Sequence, residues 1–291
     1  MKRRDFLRSA TAAAGAAALG LKHFPYHLYA SDVRKTAQDW VTLGKTGIKV
    51  TRLAQGTGTN GVNHSSNQIR KMGDQGLADL LVRGVDNGVH FWDLADQYGS
   101  HPHAKLALKT VKRDDVVILS KTHASTEQEM RDDLDRFRRE MGTDRIDILL
   151  LHCMLDANWP KQKAGAMAVL EEAKQKGIIR AHGTSCHDLG ALKVAADSDW
   201  VDVDLARLNP AQVAMDADPN TVISVLRKMK QKGKGVIGMK ILGAGELRGR
   251  PDEALQFALA QDVLDCFTIG CENPNEFQDL VKRIPAASTR G

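Results

Sequence analysis

Asp93, Tyr98, Lys121 and His152 are residue types that, brought together, can move a proton onto a carbonyl oxygen. As a carbonyl carbon is reduced, its oxygen develops alkoxide character and must be protonated. A free tyrosine, with a pKa of about 10, is a poor donor near neutrality. A neighbouring ammonium favours the phenolate and lowers that pKa. A buried lysine in turn needs a carboxylate, because an unpaired buried charge is costly. A histidine can donate a hydrogen bond to the carbonyl oxygen and orient it. Each residue also has an ordinary alternative. Asp93 can cap a turn, Lys121 can be an exposed strand-end charge, His152 a satisfied core histidine and Tyr98 a packing aromatic in a loop. The chemical reading rests on their joint placement.

That placement follows from the elements around them. Short apolar runs bounded by Gly, Asp or polar residues predict strands over 52–55, 90–93, 116–121, 146–152, 179–185, 201–205, 235–241 and 266–269, the pattern of strands buried on both faces. Helical periodicity falls between them, over 77–87, 126–141, 163–176, 220–231, 252–260 and 274–283, and is weaker after the second and fifth strands. The clearest helix has a capping box, Thr126 with Glu129, and the apolar stripe Met130, Leu134, Phe137, Met141. Eight strands alternating with helices predict an α/β fold, a single-domain (β/α)₈ TIM barrel. Residues 40–50 add a short N-terminal hairpin. An open doubly wound sheet is disfavoured, because no G-x-G-x-x-G follows an early strand. In a barrel the working residues stand at the C-terminal ends of strands, where Asp93, Lys121, His152 and Ser185 fall, with Tyr98 just beyond. A glycoside hydrolase on this fold would need a second carboxylate facing Asp93, and none is evident. His101, His103 and His123 read as solvated loop histidines, and no metal site is expected.

Phe91-Trp92-Asp93 followed by Tyr98-Gly99, Ile118-Leu119-Ser120-Lys121, and Leu149-Leu150-Leu151-His152 after Asp147 resemble, in this order, the signature segments of the aldo-keto reductases. The resemblance runs from residue 43 to about 283. It implies reversible, NADP- or NAD-dependent reduction of an aldehyde or ketone. Tyr98 would be the proton donor, Lys121 its tuner, Asp93 the partner of Lys121, and His152 the group orienting the small-molecule carbonyl substrate. It also implies cofactor contacts at Thr57, Ser185, Leu242, Gly243, Gly245 and Gly270. Close approach of backbone N–H groups to phosphate favours the glycines; as plain turn glycines they would need no ligand. Several positions depart from the family. Cys186 replaces an asparagine, Leu205 a glutamine, and Met239 an aromatic ring. No basic residue is read near the adenosine phosphate, and Glu272 there is expected to repel a 2′-phosphate, which weakens NADP over NAD. These departures keep open an alternative, a non-catalytic exported barrel that binds a small molecule or protein partner.

The net charge of +5 gives little support to nucleic-acid binding. Residues 1–30 carry Lys2, Arg3, Arg4, Arg8 and Lys22 against Asp5, a net of +4. A basic start followed by the Ala/Gly-rich stretch 9–21, too short for a spanning helix of about 20 residues, reads as a signal peptide. Arg3-Arg4-Asp5-Phe6-Leu7 resembles a twin-arginine signal. Residues 1–30 are therefore expected to be an export leader, followed by a polar lead-in over 31–40, the barrel over 41–285 and a tail over 286–291. A periplasmic or otherwise exported protein is expected, with transient contact with the twin-arginine machinery and no stable membrane insertion after cleavage. Four cysteines without a C-x-x-C spacing read as buried small residues. Replacing Arg3 and Arg4 by lysine is expected to hold the precursor in the cytoplasm. Unchanged accumulation outside it, measured by fractionation, overturns the leader assignment.

Overall fold

The computed structural model describes residues 24–290. Most of the predicted leader lies outside the described residues. Its last part, from Phe24 to Tyr29, packs on the barrel, with Phe24 stacked on Tyr29 and Tyr29 edge-on to Phe257. No helix among the described residues is long and apolar enough to cross a membrane.

Eight parallel strands close into a barrel. They are β3 (Leu53–Gly56), β4 (Phe91–Asp93), β5 (Val117–Thr122), β6 (Ile146–Met154), β7 (Ile179–Cys186), β8 (Val203–Arg207), β9 (Gly235–Met239) and β10 (Cys266–Gly270), with β10 returning to β3. The expected hairpin is β1 (Trp40–Thr42) paired antiparallel with β2 (Lys49–Thr51). Its Leu43, Ile48 and Val50 are buried in the same cluster as the barrel interior, so it plugs the N-terminal end.

Helices follow the barrel strands in turn: α1 (Asn67–Asp86), α2 (His101–Ala107), α3 (Glu127–Met141), α4 (Ala164–Gln175), α5 (Leu189–Asp197), α6 (Pro219–Gln231), α7 (Pro251–Ala260) and α8 (Pro274–Thr289). The predicted capping box of α3 forms, and its predicted apolar stripe is buried. Two elements differ from expectation. Helix α1 begins at Asn67 rather than residue 77, capped by Ser66, and is broken at Gly73, whose φ of 68° and ψ of −177° interrupt the helical path. His101 and His103 are not in a solvated loop. They lie buried on α2, which tolerates Pro102 because the first turn has no partner for that N–H. His101 bridges Glu140 and Ser120, while His103 meets Asp74.

The strand pleat decides which side chains meet the site. Phe91, Leu119, Ile148, Leu150, Ala181 and Leu205 fill the barrel, so Asp93, Lys121, His152 and Ser185, each an even step further along its strand, belong to the inner face at the C-terminal rim. The opposite face packs under the helices, with Trp92, Ile118, Leu149 and Leu151 in the outer cluster.

One polar group on that outer face is buried without full compensation. Asp204 accepts from the Thr184 hydroxyl at 2.7 Å and the Cys186 thiol at 3.3 Å, but its Oδ2 has no partner. Burial raises its pKa to about 7, against the lowering pull of Thr184 and Cys186. The folded chain thus keeps a proton that the unfolded chain releases near pH 4. The contribution of Asp204 to stability is fullest below that pH, declines as pH rises toward 7 and then levels off, a loss on the order of 4 kcal/mol from this group. Asp204→Asn keeps an acceptor for Thr184 and removes the titration. The variant is expected to gain on the wild type between pH 4 and pH 8 in thermal unfolding. Parallel pH profiles for the two proteins overturn this assignment.

Candidate active site

The inner faces of β4 and β5 bring Asp93 and Lys121 into a buried ion pair. Register sets this contact: Asp93 pairs with Leu119, which places Lys121 one pleat further up β5. The pair is well supplied with hydrogen bonds. Lys121 Nζ also donates to the Leu94 carbonyl at 2.8 Å, and the Thr268 hydroxyl of β10 donates to Asp93 Oδ2 at 2.8 Å. Burial works to deprotonate Lys121, but Asp93 and Tyr98 outweigh it, and its pKa is raised. Lys121 is an ammonium at any working pH.

Tyr98 stands on a single helical turn, Asp96–Tyr98, directly after β4. Its ring lies against Gly58 and Gly61 of the β3–α1 loop, where added Cβ atoms would sit 2.2 and 2.4 Å from the ring. Those two glycines make room for the tyrosine. The Lys121 ammonium is 4.8 Å from the Tyr98 ring centroid, and the phenol oxygen is 3.5 Å from His152 Nε2. Burial raises the Tyr98 pKa, and the opposing pull of Lys121 does not reverse this. The sequence expectation of a net lowering is therefore corrected. The phenol is protonated, and its transfer to an alkoxide, a much stronger base than phenolate, remains downhill. Lys121 favours the phenolate left behind.

His152, at the rim of β6, is buried and stacked on the exposed His123 at 4.8 Å between centroids. Burial, then the charge of Lys121, depress its pKa well below the usual histidine range. It is neutral and has one N–H to donate. Its Nδ1 is buried without a partner, and its Nε2 faces the Tyr98 hydroxyl. Two donors can thus converge on one oxygen, the geometry of an oxyanion hole.

A groove of about 420 Å³ runs from Asp93 and Tyr98 across Leu205 and Met239 to Gly270 and Glu272. Among the predicted cofactor positions, Leu242, Gly245 and Gly270 line it. Gly243 sits behind the wall in a turn, its N–H donating to the Lys240 carbonyl at 2.8 Å, with φ 55°. The Thr57 hydroxyl bonds the Asp93 carbonyl at 2.9 Å and ties β3 to β4. Ser185 is buried at the rim of β7, its hydroxyl 3.5 Å from the Cys153 N–H. Cys186 faces away from the barrel, toward Asp204, while Leu205 leaves an apolar floor.

The far end of the groove differs from the sequence expectation. Glu272 does not stand as a free repelling charge. It pairs with Lys71 and accepts from Asn67 Nδ2 at 2.6 Å, and these partners hold its carboxyl below the usual range although burial pulls upward. Arg248 and Arg283 line the groove at this end. Arg283 comes from α8, which begins just after Glu272, and Arg248 from the loop after β9, so the local reading near residue 272 had no signal for Arg248.

Two rim residues that sequence reasoning passed over have strained backbones. Cys153, just past His152 at a register shift in β6, has φ 59°, and Lys240, just past β9, has φ 57°. Non-glycine residues in this left-handed region cost on the order of 1 kcal/mol or more and gather at functional sites. The Cys153 thiol is 3.4 Å from His187 Nδ1. Burial raises the thiol pKa and depresses His187 to about 3, so both are neutral.

Comparison with known proteins follows the geometry. Residues 53–283 match the aldo/keto reductase family. A curated relative, D-threo-aldose 1-dehydrogenase of a Pseudomonas species, is 23% identical over 220 residues. That match covers 64% of this chain and 66% of the relative, just under two thirds of its length. Among solved structures, one described as an aldo-keto reductase from Pseudomonas aeruginosa has a TM-score of 0.72 at 22% identity, covering 87% of this chain and 97% of that one. An aldo/keto reductase from Klebsiella pneumoniae, determined with NADP and acetate, has a TM-score of 0.64 at 22% identity, covering 88% and 90%. At such identities the solved structures establish the shared barrel, and the family match extends through every barrel strand. The chain belongs to the aldo/keto reductase family.

Proposed function

We propose that the protein reversibly reduces an aldehyde or ketone to the alcohol with NADP or NAD, and that Tyr98 is the proton donor. The observation that carries this reading is the convergence of the Tyr98 hydroxyl and His152 Nε2, 3.5 Å apart, beside the buried Lys121–Asp93 pair. The relative that acts on an aldose and the solved neighbour bound to NADP support the reaction class and the cofactor.

The groove fits a nicotinamide dinucleotide. Its floor under the catalytic residues is apolar, through Leu205 and Met239, and Gly245 and Gly270 keep its wall free of side chains. Met239 would pack on the nicotinamide through its polarizable side chain, and Arg248 would meet a phosphate. Neutral amides replaced by Cys186 and Leu205 leave the Ser185 hydroxyl as the candidate partner for the carboxamide. When bound, the reduced nicotinamide supplies the electron pair and hydrogen that the carbonyl carbon takes up.

The side chains handle the oxygen. Neutral His152 donates a hydrogen bond that fixes and polarises it. Tyr98 donates a second bond and, as negative charge develops, passes its proton to that oxygen. The resulting phenolate lies beside the Lys121 ammonium until solvent restores the proton. Asp93 keeps Lys121 charged and in place, a positioning role. We further propose export by the twin-arginine route, supported by the Arg3-Arg4-Asp5-Phe6-Leu7 segment.

Tyr98→Phe removes only the hydroxyl. Carbonyl reduction is expected to fall by about 10²-fold or more, the scale of a lost general acid, with little change in cofactor affinity. Lys121→Met is expected to cause a comparable loss, and the double variant little more, since the two act as one proton-donating unit. The measurement is single-turnover oxidation of bound NADPH with a reactive aldehyde. Undiminished turnover in Tyr98→Phe overturns the role of Tyr98.

A further inference from the structure

His152 must present one N–H to the substrate oxygen, yet few contacts fix the plane of its ring. A donor histidine is ordinarily held by a hydrogen bond at its other ring nitrogen, which sets both plane and tautomer. In His152 that nitrogen, Nδ1, is buried with no partner among the described residues. The strand ladder gives no direct support at this point. β6 pairs with both neighbours as far as Leu151, and with β7 again only at Met154. Contacts between rings are left to set the plane.

Two rings touch it. Tyr98 meets His152 edge-on, with centroids 5.5 Å apart and planes at 84°, and its hydroxyl is itself a reacting group. His123 covers a face of the imidazole, at 4.8 Å and 30° between planes. His123 is exposed, as its sequence reading expects, but it is not free to turn. Its Nε2 lies 2.8 Å from Gln97 Oε1. A carbonyl oxygen only accepts, so the His123 proton sits on Nε2. The loop backbone is held as well, because Lys163 Nζ donates to the His123 carbonyl at 2.6 Å and to the Ser125 hydroxyl at 2.7 Å. Burial, then the charge of Lys163, depress the His123 pKa, so two neutral rings face each other.

Gln97 stands in the same short turn as Tyr98. The turn that carries the proposed proton donor thus also carries the anchor of the ring that backs His152, and the contacts close on themselves. Resting on the reductase reading above, we infer that His123 is a positioning residue. Stacked on His152 and anchored by Gln97, it holds the imidazole in the plane from which Nε2 and the Tyr98 hydroxyl reach one oxygen. The face of the His123 ring performs this role, and no proton passes through it. A flat ring without nitrogen therefore suffices at this position, and a methyl group does not.

The test follows reduction of 4-nitrobenzaldehyde by the full chain at saturating NADPH. His123→Ala is expected to lower kcat roughly 10- to 100-fold, the scale of a misplaced catalytic group. NADPH affinity is expected to stay unchanged, since His123 does not line the groove. His123→Phe is expected to keep most of the wild-type kcat. Gln97→Leu is expected to lower kcat in the wild-type background but to change little in His123→Phe, whose ring has no N–H to anchor. Crystal structures of the two His123 variants give a readout without turnover. The His152 ring is expected to turn out of its plane in His123→Ala and to keep it in His123→Phe. Wild-type kcat in His123→Ala overturns the proposal, as does a loss in His123→Phe as deep as in His123→Ala. So does a His152 ring that has not moved in the His123→Ala structure. A wild type that reduces no aldehyde counts against the reductase reading, while the two crystal structures still decide for or against His123.

Discussion

The mouth of the barrel is organised around one buried contact, the Lys121–Asp93 ion pair. Two charges removed from water hold together only when their remaining hydrogen-bonding capacity is also met. Here Leu94 supplies a carbonyl to the ammonium, and Thr268 supplies a hydroxyl to the carboxylate. The pair therefore fastens β4 to β5 and to β10, which is 175 residues away in sequence from Asp93. Removing either partner would strand the other charge, a loss of about 3–5 kcal/mol in comparable settings. The same constraint explains the neutrality of His152. A second cation beside Lys121 would have no carboxylate to face, so the imidazole stays uncharged and serves as a donor.

Around that fixed centre, Cys153 and Lys240, at or just past strand ends, are among the non-glycine residues with a left-handed backbone. Neither strain is needed to close the barrel, whose strands are already paired below these points. At Cys153 the bend follows a register shift that sets His152 apart from the ladder. At Lys240 it turns a side chain back toward the groove. The barrel thus supplies a rigid, repetitive frame, and its departures from repetition lie where side chains are redirected.

Much of this was legible in the sequence because strand pairing and pleat are local rules. Once 90–93, 116–121 and 146–152 read as buried strands, Asp93, Lys121 and His152 had to share the inner face at one end. The plug hairpin and the capping box of α3 were legible for the same reason. What remained hidden depends on contacts between distant segments. Gly58 and Gly61 carry no signal of their own in the sequence, and only the fold sets the Tyr98 ring against them. Thr268 carries no motif, and Arg248 reaches the Glu272 end of the groove from another loop. Local chemistry also misled: His101-Pro102-His103 has the composition of a loop, yet proline fits the first helical turn and both histidines are buried. Tyr98 was found by type and spacing, but its raised pKa depends on burial, which no spacing reports.

The break at Gly73 divides α1 into two parts with different attachments. Before it, Asn67 and Lys71 clasp Glu272 across the groove, and Gln68 reaches Thr59 and the Gly56 carbonyl. After it, Leu77, Leu80 and Leu81 are buried against the body of the barrel. The positive φ of 68° at Gly73, a conformation that favours glycine, interrupts the helical backbone between these parts. Substitutions in the first segment bear directly on the contacts to Glu272, Thr59 and Gly56, while Gln68 and Met72 also tie that segment to the packed interior. A single helix thereby joins two differently attached stretches, one clasping Glu272 at the end of the groove and one laid along the barrel wall.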